Sequence, residues 1–100
     1  MADLIRMPPH PAEPLWRELL GDVLRRRRHD RGETLHETSR RAGVSPQYLS
    51  EIERGRKDPS SEMVAALAGA LGTTLVDLTA EVTRAGRPAP PSLNALLLAA

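Results

Sequence analysis

Residues 34 to 55 read TLHETSRRAGVSPQYLSEIERG, and the spacing of caps and apolar residues in this stretch decides the fold. Thr34 is a good helix N-cap, and Glu37 three residues on completes a capping box, in which side chains satisfy the backbone N–H groups left open at a helix start. Leu35, Thr38 and Ala42 then give a helix of about two turns that ends at Gly43. Ser45 caps the next helix and Pro46 stands at its first position, where the missing N–H leaves no bond unmade. That helix is expected over about 46 to 53. Two short helices joined by a turn of three to four residues containing a glycine make a helix-turn-helix unit. Its second helix can enter a major groove ~12 Å wide. Ala42, Val44, Leu49 and Ile52 fall toward the junction of the two helices, which leaves Gln47, Ser50, Glu51 and Arg54 on the opposite face as the candidate reading head.

Outward from this unit the chain continues in the same style. Upstream, Leu15, Trp16, Leu19, Leu20, Val23 and Leu24 carry the three-and-four spacing of an amphipathic helix, expected over about 14 to 30 and stopped by Gly32. Downstream, Ser60 or Ser61 caps a fourth helix bearing Met63, Val64, Leu67, Ala68 and Leu71, stopped by Gly72. A fifth follows from about Leu75 to Arg84, with Leu75, Leu78 and Val82 on its apolar side. The expectation is an all-α chain of five short helices with no strand pattern. Its organisation reads as a Pro-rich arm over 1–13, a helix-turn-helix domain over 14–85, and a Pro-rich linker with an apolar tail over 86–100. One hundred residues allow one compact domain.

Whole-chain charge says little, because 14 Lys and Arg stand against 13 Asp and Glu for a net charge of +1. The distribution says more: between residues 25 and 57 lie ten basic and five acidic residues, an excess of +5, while the remainder sums to −4. A basic segment set against acidic flanks is the electrostatic footprint expected for a phosphate backbone. Within it, Arg25 and Arg27 are candidates to face phosphates, although a run of four arginines covers more than one helix face and a solvated surface is the simpler reading of any one of them. Arg54 and Arg56 reach phosphates in the same reading, and Gly55 supplies a left-handed helix end. Gln47 lies in the first turn of the reading helix, where its amide can make paired bonds to adenine N6 and N7; an exposed, unengaged glutamine is the alternative. Glu51 can accept from cytosine N4 or exclude wrong bases by repulsion. Ser50 either bonds or simply permits close approach, and Tyr48 either reaches phosphate or covers the helix junction.

Several motifs in order also make the chain similar to a known family. LGDVLRRRRHDRGETL, the AGVS turn, YLSEIERG and the downstream PSSEMVAALAGALG resemble the lambda repressor and Cro-like helix-turn-helix domains, the XRE family, over about residues 20 to 78. Within it the chain resembles the actinobacterial regulators of Clp protease genes, of the ClgR and PopR type, through YLSE-ERG and an alanine-terminated tail. The resemblance implies a five-helix lambda-repressor-like domain and a two-fold dimer on a pseudo-palindromic double-stranded DNA operator. It implies base contacts from Pro46, Gln47, Ser50 and Glu51, with Ser45, Tyr48 and Arg54 near phosphates or the groove edge. It also implies a buried, structural ion pair between Arg28 and Glu53, and favours activation of transcription through contact with RNA polymerase, although operator position can make the same domain a repressor. Two departures stand out. Leu35 replaces a glutamine that braces phosphate contacts in many members, which shifts anchoring to the Thr34 hydroxyl and to backbone N–H groups at the helix start. Thr38-Ser39 replaces Leu-Ala, which is expected to weaken close helix packing slightly.

Other chemistries find no footing. With no cysteine there is no disulfide, thiol nucleophile or Cys-based zinc site. His36 and Glu37 lack a second histidine at metal-binding spacing, no glycine-rich phosphate loop or nucleophile elbow occurs, and neither metal, cofactor nor catalysis is expected. No stretch approaches the ~20 apolar residues of a membrane span and no signal-peptide run opens the chain, so a cytoplasmic, nucleoid-associated location with no membrane partner is expected. Surplus apolar surface on the fifth helix, or at Trp16 and Leu20, is a candidate self-association patch. The segment LNALLLAA, ending in Leu98, Ala99 and Ala100, looks like a tag recognised by Clp-type proteases; a segment completing a dimer interface is the competing reading. The rival function is a protein-binding module, such as an antitoxin, whose residues 86 to 100 fold on a partner. A small hydrolase is a more distant third, since so short a helical chain has little room for a concave site.

Overall fold

The computed structural model describes residues 14–87. Five helices follow in order: α1 (Trp16–Asp30), α2 (Leu35–Ala42), α3 (Pro46–Glu53), α4 (Ser61–Ala70) and α5 (Leu75–Ala85), with no strand among the described residues. The arm over 1–13 and the tail beyond Arg87, including Leu98, Ala99 and Ala100, lie outside the described residues.

Local chemistry sets the helix limits. Pro14 and Leu15 stay outside α1, which begins two residues later than the periodicity suggested; Leu15 is extended (φ −68°, ψ 147°) and donates its N–H to Glu18 Oε1 at 2.9 Å. At the start of α2 the Thr34 hydroxyl accepts from Glu37 N–H at 3.1 Å while Glu37 Oε1 accepts from Thr34 N–H at 2.8 Å. Ser45 caps α3 through Tyr48 N–H at 3.0 Å, Ser60 rather than Ser61 caps α4 through Met63 N–H at 3.2 Å, and Thr74 caps α5 through Asp77 N–H at 3.1 Å. Gly43 turns the chain between α2 and α3 at φ 75°, a left-handed conformation that a side chain would strain.

The core lies where α1 meets α3 and α5, α2 meets α3 and α4, and α4 meets α5. Leu20, Val23 and Leu24 of α1, Leu49 and Ile52 of α3, Leu67 of α4, and Leu78 and Val82 of α5 are fully buried. Each such leucine or isoleucine contributes ~1.5–3 kcal/mol relative to exposure. Leu20 is therefore core and not surplus surface, because α1 is covered on two sides, by α3 and by α5. Among the described residues the large apolar side chains left exposed are Leu15, Trp16 and Val76.

Thr38 and Ser39 are buried on the inner side of α2, yet they cost no unmade bond: Thr38 Oγ1 donates to Glu33 Oε1 at 2.8 Å and Ser39 Oγ to the His36 carbonyl at 3.1 Å. No buried side-chain polar atom among the described residues lacks a partner. No single helix among them is long and apolar enough to cross a membrane.

Candidate nucleic-acid interface

Burying Leu49 and Ile52 fixes the rotation of α3 about its axis, and that rotation presents the other face. Gln47, Ser45 and Arg54 are exposed; Pro46, Ser50 and Glu51 are half-buried at the margins of the same face. Tyr48 is half-buried and packs against the core. Ser45, Gln47, Tyr48 and Glu51 line one shallow depression together with Lys57, a cation that follows α3 and that the reading of the motif did not single out. Glu51 Oε2 stands 3.6 Å from Arg54 Nη2, one turn on, a long pair between a half-buried acid and an exposed base.

A second depression gathers Arg25 from α1 with Arg54 and Arg56 from the end of α3, beside Glu18, Asp22 and Glu53. Arg27, grouped with Arg25 in the sequence, is separated from it by helical geometry. Its Nε donates to Glu81 Oε1 on α5 at 2.7 Å, so it braces α1 against α5 and is not a free phosphate ligand. Thr34 sits exposed at the start of α2; its N–H is taken by Glu37, which leaves its hydroxyl proton as the group able to reach an anion. Leu35 is half-buried against the core.

Arg28 is committed inside the fold. Its Nε and Nη2 meet the two carboxylate oxygens of Glu53 at 2.7 and 2.9 Å, and its Nη1 donates to the Glu33 carbonyl at 2.9 Å. Hydrogen bonding to Glu53 raises the already high pKa of the guanidinium, outweighing the opposing effect of burial. Arg31 and Arg41 pair with Glu33. Arg25, Arg26, Arg40, Arg54, Arg56 and Lys57 are the exposed basic residues of this segment that Glu33 does not engage, while Arg31 and Arg41 are exposed but paired with it.

Close approach of α1 to α3 depends on a residue the motif reading passed over. A Cβ at Gly21 would stand 2.5 Å from the Ile52 carbonyl oxygen and 2.6 Å from that of Glu53, so only glycine lets the helices cross there. A glycine inside an otherwise periodic helix was its one signal in the sequence. Among the described residues no group of histidine, cysteine and acid side chains is arranged to hold a metal.

A helix-turn-helix domain family matches residues 19–82 of the chain. Over 57 residues the chain is 60% identical to the transcriptional regulator ClgR of Mycobacterium tuberculosis, covering 57% of this chain and 51% of that protein, so it spans about half the length of this curated relative. It is 44% identical over 62 residues to the HTH-type transcriptional regulator y4dJ of Sinorhizobium fredii, covering 62% of this chain and 80% of that one. The crystal structure of the clp gene regulator ClgR from Corynebacterium glutamicum superposes with a TM-score of 0.69 at 49% identity, covering 73% of this chain and 78% of that one. These relatives are transcriptional regulators and not enzymes. The five helices, the capped turn at Gly43 and these matches together place the chain in the lambda repressor and Cro-like, or XRE, family of helix-turn-helix transcription regulators, with the clp gene regulators among its relatives.

Proposed function

We propose that the chain reads double-stranded DNA in a sequence-specific manner by laying α3 in the major groove and regulates transcription from that site. The observation that carries this reading is the division of α3 into a buried side, Leu49 and Ile52, and a polar side, Gln47, Ser50, Glu51 and Arg54, left to solvent. Pro46, Gln47, Ser50 and Glu51 make the base contacts; Gln47, the most exposed of them at the N-terminal end, takes adenine. Thr34, Ser45, Tyr48, Arg25, Arg54 and Arg56 hold the backbone, with Lys57 added by its place beside Gln47.

One α3 offers few contacts, so binding is by a homodimer on two half-sites ~34 Å apart. Among the described residues, Val76, three-quarters exposed on α5, with Leu15 just before α1 and Trp16 at its start, is the large apolar surface available to such a partner. Likeness to regulators named for clp genes supports Clp protease or other proteolysis genes as targets. The proposed effect on them is activation, through contact with RNA polymerase. The protein's own level is set by Clp-type proteolysis through Leu98, Ala99 and Ala100. DNA as the partner makes the location cytoplasmic.

The test is affinity selection of genomic fragments at about 150 mM salt, followed by sequencing, with Gln47→Ala in parallel. A two-half-site motif is expected, its bases weakened by ~1–3 kcal/mol in the variant. Binding without a motif, abolished by salt, would overturn the reading.

A further inference from the structure

One carboxylate outside the reading face touches more of the scaffold than any residue on it. Glu33 lies in the loop between α1 and α2 with its side chain 13% exposed. Its Oε1 accepts from the buried Thr38 hydroxyl at 2.8 Å and from Arg41 Nη2, and its Oε2 accepts from Arg31 Nε at 3.0 Å. Arg41 in turn donates from Nε and Nη2 to the Ala70 carbonyl at the end of α4, at 3.2 and 3.0 Å. The backbone of Glu33 is held as firmly. Its N–H donates to the Arg28 carbonyl at 3.1 Å, and its own carbonyl accepts the third bond of the Arg28 guanidinium whose other two go to Glu53 on α3.

We propose that Glu33 is the positioning residue of the reading helix, fixing α3 from two sides at once. This rests on α3 being the DNA-reading element. From one side the path runs through Arg28, whose guanidinium grips Glu53 with two bonds and the Glu33 carbonyl with the third. From the other it runs through α2, whose inner face is tied to Glu33 by Thr38 and to α4 by Arg41. Only Gly43, Val44 and Ser45 separate α2 from α3, so a shift of α2 passes into α3 with little to absorb it. Glutamine with its oxygen at the Oε1 position still accepts from Thr38 but brings an NH2 group where Oε2 now faces Arg31, and both Arg31 and Arg41 lose a charge partner. No phosphate ligand is removed, so the consequence is a misplaced reading face with an unchanged electrostatic one.

The experiment compares the full chain with Glu33→Gln and, separately, Thr38→Val, each checked for helix content by circular dichroism. Two readouts are taken: backbone amide shifts of Gln47 to Ile52 in the DNA-free protein, and the ratio of affinities for the selected motif and for unrelated DNA over a range of salt. Glu33→Gln is expected to move the α3 amides and to lower that ratio about tenfold, with the slope of log affinity against log salt unchanged. Thr38→Val is expected to do both more weakly, and should Glu33→Gln fail to fold, it carries the test. α3 amides at their original positions in a folded variant would overturn the proposal whatever the DNA result, and so would a salt slope shallower by about one, the mark of a lost phosphate contact. If no motif exists for the unaltered chain, the DNA-reading proposal fails, while the amide shifts still decide whether Glu33 positions α3.

Discussion

Gly21 of α1 lies against the carbonyl oxygen of Ile52 on α3 so closely that a Cβ there would stand 2.5 Å from it. The neighbouring atoms are backbone, which cannot swing aside, so Gly21→Ala must push α1 and the end of the reading helix apart. A loss of ~1–3 kcal/mol is expected, with weaker motif binding as α3 moves. Gly69 is the control: it sits inside α4, an added Cβ meets nothing within 4 Å, and Gly69→Ala is expected to gain ~0.5–1 kcal/mol from helix propensity. Urea unfolding of the pair measures both, and equal effects of the two substitutions would refute the account of the crossing.

The Arg28 and Glu53 pair is buried and bidentate, which makes loss of one partner far worse than loss of both. Glu53→Gln or Arg28→Met alone is expected to cost ~3–5 kcal/mol by leaving a charge or donor without its partner. The double change to apolar residues of similar size recovers part of that. A double-mutant cycle in urea measures the coupling, and additive single effects would show the pair to be independent.

How much of this was legible in the sequence divides by range. Caps at Thr34, Ser45 and Ser60 act over three residues, so they could be read from spacing, whereas the Thr74 cap of α5 was not singled out. The polar and apolar faces of α3 follow equally from its own eight residues. The fates of the arginines could not be read this way, because Arg27 meets Glu81 across 54 residues and Arg41 meets the Ala70 carbonyl across 29. The run of four arginines is expected to cover more than one helix face, but which neighbour each member meets is set by elements distant in sequence. Thr38 and Ser39 are expected to weaken helix packing slightly because they replace Leu-Ala; that the Thr38 hydroxyl bonds to Glu33, five residues back in the preceding loop, was not read from the sequence.

That sorting of arginines predicts opposite signatures. Arg56→Ala removes an exposed cation beside Arg25 and Arg54, and is expected to lower affinity for motif and unrelated DNA alike while making the salt slope shallower by about one. Arg27→Ala breaks a half-exposed pair with Glu81, and is expected to leave the slope unchanged and cost ~0–1 kcal/mol of stability. Fluorescence titrations on an operator fragment at four salt concentrations separate them; a changed slope for Arg27→Ala would return that residue to the phosphate contacts.

Glu33 also fixes how the domain meets acid. The Thr38 hydroxyl holds its carboxyl down first, and the Arg41 and Arg31 guanidiniums add to this; together they outweigh the upward push of burial and take the pKa from the ordinary 4.5 to about 2. A group whose pKa is lower in the folded chain adds stability that is complete above its unfolded value, and loses it as pH falls toward the folded value. Stability is therefore expected to decline between about pH 4.5 and about pH 2 by a contribution that Glu33→Gln abolishes. Thr38→Val takes away the largest single cause, so it should raise the folded pKa and narrow the same window. Urea midpoints measured across this range for the three proteins test the assignment: the unaltered chain should show the steepest acid limb and Glu33→Gln the shallowest, and three parallel limbs would mean that another carboxylate, not Glu33, governs acid unfolding.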